Sequence, residues 1–154
     1  MAESAVVVGE KLKTKAATVA CAESCTGGLV TSMLTDVPGS SGYVCGSVVC
    51  YTNEIKHRVV GVSKTTLEKY TAVSRETAQE MACGIRQLMQ TDYGLATTGN
   101  LGPEPSEGKP VGLVYIAVAS ETGVTCEELH LKGSRSENKK AVAERALALL
   151  DRSL

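Results

Sequence analysis

The stretch ATVACAESCTGGLVTSMLTDVPG, residues Ala17–Gly39, decides the fold. Its first part, Ala17–Cys21, is a short apolar run with the length and β-branched content of a buried strand. Glu23-Ser24-Cys25-Thr26-Gly27-Gly28 then interrupts it, and the period changes. Leu29, Val30, Met33, Leu34 and Val37 make a helical stripe, which Pro38-Gly39 stops. The order is strand, glycine turn, helix.

The rest of the chain repeats that alternation on both sides. Upstream, Glu3 to Lys15 reads as a helix packing Val6, Val8 and Leu12. Downstream, Val44–Tyr51 is a second strand, and Thr65–Tyr70 a short helix with Ser63 as its cap. Ser74 caps the clearest helix, where Ala78, Met81, Ala82, Ile85, Leu88 and Met89 share one apolar face. Tyr93–Thr97 is a third strand, followed by a Gly- and Pro-dense loop from Gly99 to Pro110. Leu113–Ala119 is continuously apolar, as expected of a strand covered on both faces. Thr122-Gly123 turns the chain into Val124–Leu131, whose mixed pattern suits an edge strand, and a last helix runs from Glu137 to Leu150.

Strands alternating with helices predict an α/β fold, a three-layer α/β/α sandwich forming a single domain over residues 1–154. Its mixed sheet should be mostly parallel, with about five strands. The last two should form an antiparallel hairpin, because their connection is too short for a crossover. Ligands in such folds bind beyond the carboxyl ends of the strands, which puts the loops after Cys21, Tyr51 and Thr98 on one rim.

Composition removes several classes of function. A formal net charge of −1, with five Tyr and neither Phe nor Trp, offers no basic face and few stacking rings for nucleic acid. No apolar run nears the roughly 20 residues that span a bilayer, and the first fifteen residues do not read as a signal peptide. The six cysteines (Cys21, Cys25, Cys45, Cys50, Cys83, Cys126) contain no CxxC pair and read as reduced thiols of a cytoplasmic protein. His57 and His130 join no cysteine ladder, so no metal site is expected.

The chemistry then lies in the rim loops. Ser24 stands before two glycines that let backbone N–H groups approach a ligand or a developing oxyanion, although a Ser-Thr-Gly-Gly turn also serves as a helix cap. A serine hydroxyl needs a base. His57 has no evident acidic orienter, whereas Tyr51 and Lys56 in YTNEIK offer the lysine route, provided burial lowers the amine's pKa. A solvated Lys56 and a Tyr51 that merely caps the sheet are the structural alternatives. Cys25 is the rival nucleophile and reads as packing. Glu23 is either an acid–base or ribose-binding group or the anchor of its own turn.

These segments together resemble the CinA C-terminal family, which includes nicotinamide-nucleotide amidases. The likeness rests on AESCTGG (Ala22–Gly28), DVPGSSGY (Asp36–Tyr43), YTNEIK (Tyr51–Lys56), AVS (Ala72–Ser74), TG (Thr98–Gly99), GP (Gly102–Pro103), KPVG (Lys109–Gly112) and GSR (Gly133–Arg135). It implies hydrolysis of nicotinamide mononucleotide to nicotinate mononucleotide and ammonia, with no metal or other cofactor, in a homodimer or higher homo-oligomer. The family's nucleophile falls on Ser24, its activating pair on Tyr51 and Lys56, and an oxyanion or substrate contact on Thr98. Glu23, Thr26, Gly27, Gly28, Gly99 and Arg135 are the expected substrate-binding positions. Arg135, or Lys139 or Lys140 beside it, is the expected holder of the phosphate.

One segment departs from the family. After GP most members carry a glycine run, where this chain reads Glu104-Pro105-Ser106-Glu107-Gly108, and Asn100-Leu101 replaces the usual Ile-Ala. Pro105 removes a donor and two glutamates add negative charge. A different amide, or a non-catalytic member that binds a nucleotide, is the alternative this loop raises.

Overall fold

All five strands form, and their pairing places the rim. The computed structural model describes residues 1–154. Its elements are α1 (Glu3–Lys15), β1 (Val19–Glu23), α2 (Leu29–Thr35), a 3-10 turn (Ser40–Gly42), β2 (Val44–Val49), α3 (Asn53–Arg58) and α4 (Lys64–Tyr70). There follow α5 (Arg75–Met89), β3 (Tyr93–Gly99), β4 (Leu113–Ser120), β5 (Gly123–His130) and α6 (Arg135–Ser153). The mixed sheet has the order β2-β1-β3-β4-β5. β1 runs parallel to both β2 and β3. The expected β4–β5 hairpin is antiparallel, and so is β3–β4, where Gly99 pairs with Val114. Parallel and antiparallel pairings are therefore equal in number. The reason lies between Gly99 and Leu113: no helix carries the chain back along the sheet, so β4 starts beside the end of β3. The carboxyl ends of β1, β2 and β3 and the start of β4 share one edge.

The two faces of the sheet differ in grain. Val19 and Cys21 of β1 and Val114, Ile116 and Val118 of β4 bury against α1, α2 and α6, through Val8, Leu12, Val30, Leu34, Val142, Leu147 and Leu150. The alternate residues of the same strands, Ala20, Ala22, Ala117 and Ala119 with Ala96 of β3, face α5 and meet Ala78, Met81, Ala82 and Ile85. This is the period-two alternation of a sheet covered on both sides. The small residues bring α5 close to the sheet. A Cβ added at Gly94 would overlap the Ala82 carbonyl oxygen, and one at Gly84 of α5 the Val60 carbonyl oxygen.

Helix starts follow their caps. Ser63, Ser74 and Ser134 each accept a backbone N–H from the first turn, and Ser134 with Glu137 completes a capping box. α3 was not anticipated. Thr52 caps it by accepting the Ile55 N–H at 3.3 Å, so YTNEIK holds a short helix, not only a loop. Leu88, expected on the buried face of α5, is 49 % exposed. At ~100° per residue it lies roughly 80° around the helix from Ala78, at the edge of the stripe. No helix is long and apolar enough to cross a membrane.

Candidate active site

The first rim loop is organised around a buried carboxylate. Glu23 is 1 % exposed. Its Oε1 accepts from the Thr26 hydroxyl at 2.6 Å and the Val30 N–H at 2.8 Å. Its Oε2 accepts from the Thr31 N–H at 2.9 Å and the Thr31 hydroxyl at 2.6 Å. Thr26 gives its only hydroxyl proton to Glu23, so in the 2.7 Å pair with Thr97 it is Thr97 that donates. Glu23 and Thr26 are thus spent on fastening β1 to α2 and β3, and neither lines a cavity. Both side chains carry out anchoring, which for Glu23 is one of the two readings the sequence left open.

Gly27 and Gly28 take positive φ, 61° and 105°, which the turn requires and other residues rarely adopt. The Gly27 N–H donates to the Ser24 carbonyl at 3.1 Å, so it is not a free donor. The Cys25, Thr26 and Gly28 N–H groups have no acceptor in the protein. Ser24 itself, held by its own N–H on the Thr97 carbonyl at 3.0 Å, is 7 % exposed.

Ser24 opens onto a cavity of ≈ 220 Å³. Tyr51, Lys56, Thr98, Gly99 and Arg135 line it as well, so the structure brings six of the ten expected site residues to one place. Lys56 lies on α3 and is 2 % exposed. Burial lowers its pKa below the usual lysine value, with the Cys50 and Cys25 sulfurs and the Glu107 carboxylate acting in the opposite sense. Its Nζ donates to the Tyr51 carbonyl oxygen at 3.3 Å and forms no ion pair. Tyr51 therefore holds the lysine through its backbone. Its hydroxyl accepts from Arg135 Nη2 at 2.9 Å, at the exposed mouth of the cavity.

Thr98 is buried and gives its hydroxyl proton to the Ala72 carbonyl at 2.8 Å. It offers the cavity acceptor lone pairs, which suit a substrate contact, the other half of its expected role, better than donation to an oxyanion. Cys25 also lines the cavity, and desolvation pushes its thiol up to about 12, as befits packing and not a reactive thiolate. His57 faces a separate groove between α3 and α4, where its Nδ1 lies 2.7 Å from the Val62 carbonyl oxygen. No three His, Cys, Asp or Glu side chains are grouped to hold a metal ion.

The third rim loop closes the far wall. Arg135 Nη1 donates to the Gly102 carbonyl at 2.6 Å, and Asn138 Nδ2 donates to the Leu101 carbonyl at 3.2 Å and the Gly133 carbonyl at 3.0 Å. Both belong to α6, so this helix fastens the loop. Lys139 lies instead by Gly27, its Nζ 3.6 Å from where a Cβ there would stand, and neither it nor Lys140 lines the cavity.

The model of the CinA C-terminal domain matches residues 1–154. The chain belongs to the CinA C-terminal domain family. A CinA-like protein of Desulforapulum autotrophicum is 51 % identical over 145 residues, covering 93 % of this chain and 34 % of that protein. Another CinA-like protein, from Dictyoglomus thermophilum, is 45 % identical over 149 residues, covering 96 % of this chain and 36 % of its own length. The chain thus spans about a third of the length of these relatives. Among solved structures, the competence/damage inducible protein CihA from Agrobacterium tumefaciens superposes with a TM-score of 0.92 at 38 % identity, over 96 % of this chain and 92 % of that one. A CinA superfamily protein from Klebsiella pneumoniae gives 0.95 at 29 % identity, over 98 % and 95 %.

Within this CinA fold, three residues that the sequence reading left unassigned shape the site. Ala72 receives Thr98 through its carbonyl and donates its N–H to Glu107 Oε2 at 2.9 Å. Asn138, 2 % exposed, clips the third loop. Glu107 lines the cavity. An asparagine on an otherwise apolar helix face, with Val142 one turn later, was the one signal for Asn138.

Proposed function

We propose that this chain is a serine amidase acting on the carboxamide of nicotinamide mononucleotide. What carries the reading is one juxtaposition: Ser24 and a buried, unpaired Lys56 line the same cavity, with Arg135 at its mouth. Burial lowers the pKa of Lys56 and so favours the neutral amine that a serine hydroxyl needs as its base.

In this scheme Lys56 Nζ takes the Ser24 proton as Oγ attacks the carboxamide carbon. The oxyanion is received by the Cys25 N–H, such a donor contributing ~3 kcal/mol to the transition state. The Lys56 ammonium then returns its proton to the departing nitrogen, and the C–N bond breaks to release ammonia. A water molecule, deprotonated by the same amine, attacks the resulting ester. Its collapse yields nicotinate mononucleotide and restores Ser24. Tyr51 is a positioning residue here, its carbonyl aiming the amine. Arg135 uses two of its five N–H groups internally and has three for a phosphate.

Ammonia release from nicotinamide mononucleotide tests this. Ser24→Ala is expected to lower kcat by about a thousandfold or more, with the fold intact by circular dichroism. Turnover undiminished in that variant would overturn the scheme.

A further inference from the structure

The cavity carries one carboxylate, and the amidase chemistry just described does not use it. Of the ionisable side chains that line it, Cys25, Tyr51, Lys56 and Arg135 are neutral or basic in function, and Glu107 alone is an acid. Its placement is costly. Glu107 and Gly108 form a two-residue turn between Ser106 and Lys109, both with positive φ, 52° and 73°. A glutamate in that region costs ~1 kcal/mol or more, and asparagine or glycine would fit it better.

The side chain is fixed, not trailing. Oε2 accepts the Ala72 N–H at 2.9 Å, while Oε1 has no partner in the protein. The same Ala72 takes the Thr98 hydroxyl, so the carboxylate is tied to the wall of the cavity. It is close enough to Lys56 to oppose the effect of burial on that amine. The opposite charge, Arg135, stands at the Tyr51 side of the mouth. The cavity lining therefore presents both an anion, the exposed Glu107 held at one oxygen by the Ala72 N–H, and a cation, Arg135.

We propose that Glu107 is a specificity-determining residue that selects a cationic ring bearing the carboxamide, while Arg135 takes the anionic end of the same molecule. The inference rests on the amidase reading and narrows its substrate class. A nicotinamide mononucleotide has this charge pattern: a positively charged pyridinium and a phosphate. Its reduced dihydropyridine form keeps the carboxamide, ribose and phosphate but loses the ring's charge. Glu107 should therefore separate the two ligands electrostatically.

The test measures binding of both forms to the full chain in a Ser24→Ala background, where hydrolysis is suppressed, by isothermal titration calorimetry. The oxidised form is expected to bind about tenfold more tightly than the reduced form. Adding Glu107→Gln keeps an oxygen for the Ala72 N–H but removes the charge, and should bring the ratio close to one. An unchanged ratio overturns the proposal, and also identifies a carboxylate that only braces the loop or contacts the ribose, since both ligands share that sugar. Absence of binding by either form would overturn the amidase reading and this inference with it. Glu107→Ala, which removes charge and brace together, is expected to weaken both ligands as well as erase the ratio.

Discussion

The first and third rim loops border the same cavity and are secured by opposite means. Between Glu23 and Gly28 the chain is fastened to its own neighbours: one carboxylate gathers four donors from Thr26, Val30 and Thr31, and Thr97 joins through Thr26. Between Gly102 and Pro110 most residues are exposed, and, beyond short-range ties from Asn100 and between Ser106 and Lys109, the fastening comes from distant elements, Arg135 and Asn138 of α6 and Ala72 ahead of α5. The loop bearing Ser24 is prearranged locally, as the role proposed for that serine requires. The loop bearing Glu107 can change composition without disturbing it. The departure from the pattern that the resemblance implies falls on the third loop, away from the ties that hold Ser24 in place.

The largest effect should come from removing what both loops enclose. Lys56→Met keeps most of the packing volume and is expected to lower kcat by about a thousandfold. Its effect on stability runs the other way. The folded-state pKa of Lys56 lies below the 10.5 of an unperturbed lysine. Between those values the unfolded chain binds more protons, so native stability rises with pH across that window. Below the window the full cost of confining the cation is present. Urea midpoints measured against pH should therefore climb in the native chain towards alkaline conditions, and lie higher and flatter in Lys56→Met. A slope that survives the substitution would mean that Lys56 is not the group responsible.

Glu23→Gln tests the local fastening. The amide nitrogen would meet a donor where a carboxylate oxygen stood, at a site 1 % exposed. A loss of ~3 kcal/mol is expected in chemical denaturation, with activity falling alongside. A change within ~0.5 kcal/mol would show that the first loop does not depend on its carboxylate.

Asn138→Ala should be milder and one-sided. Losing its bonds to the Leu101 and Gly133 carbonyls and the Gly133 N–H is expected to cost about 1–2 kcal/mol. Amide hydrogen exchange should then quicken at Gly102 and its neighbours while Val30 and Thr31 keep their protection. Equal acceleration in both loops would erase the distinction between them.

Much of this was legible in the sequence where a period or a cap recorded it. The Leu29–Leu34 stripe, the Ser63 and Ser74 caps and the β4–β5 turn all sit in local patterns, and the elements follow them to within a few residues. α3 left no such record, because six residues make too few turns to show a face. The site was legible in its residue types and opaque in its wiring. Ser24, Tyr51, Lys56 and Arg135 do meet. That Tyr51 reaches Lys56 by its carbonyl, that the Thr98 proton is already committed, and that Gly27 donates to Ser24 depend on main-chain directions that no spacing encodes.

The alanine-faced side of the sheet has a consequence beyond packing. With Gly94 leaving no room for a methyl group, the height at which α5 rides above β3 is set there by backbone against backbone, and Gly84 brings the same helix against the turn after α3. Ser74 begins that helix two residues after Ala72, which holds Thr98 on one side and Glu107 on the other. The seat of α5 on the sheet thus carries through Ser74 to Ala72, and a single added carbon at Gly94 would press on the element that precedes one wall of the cavity.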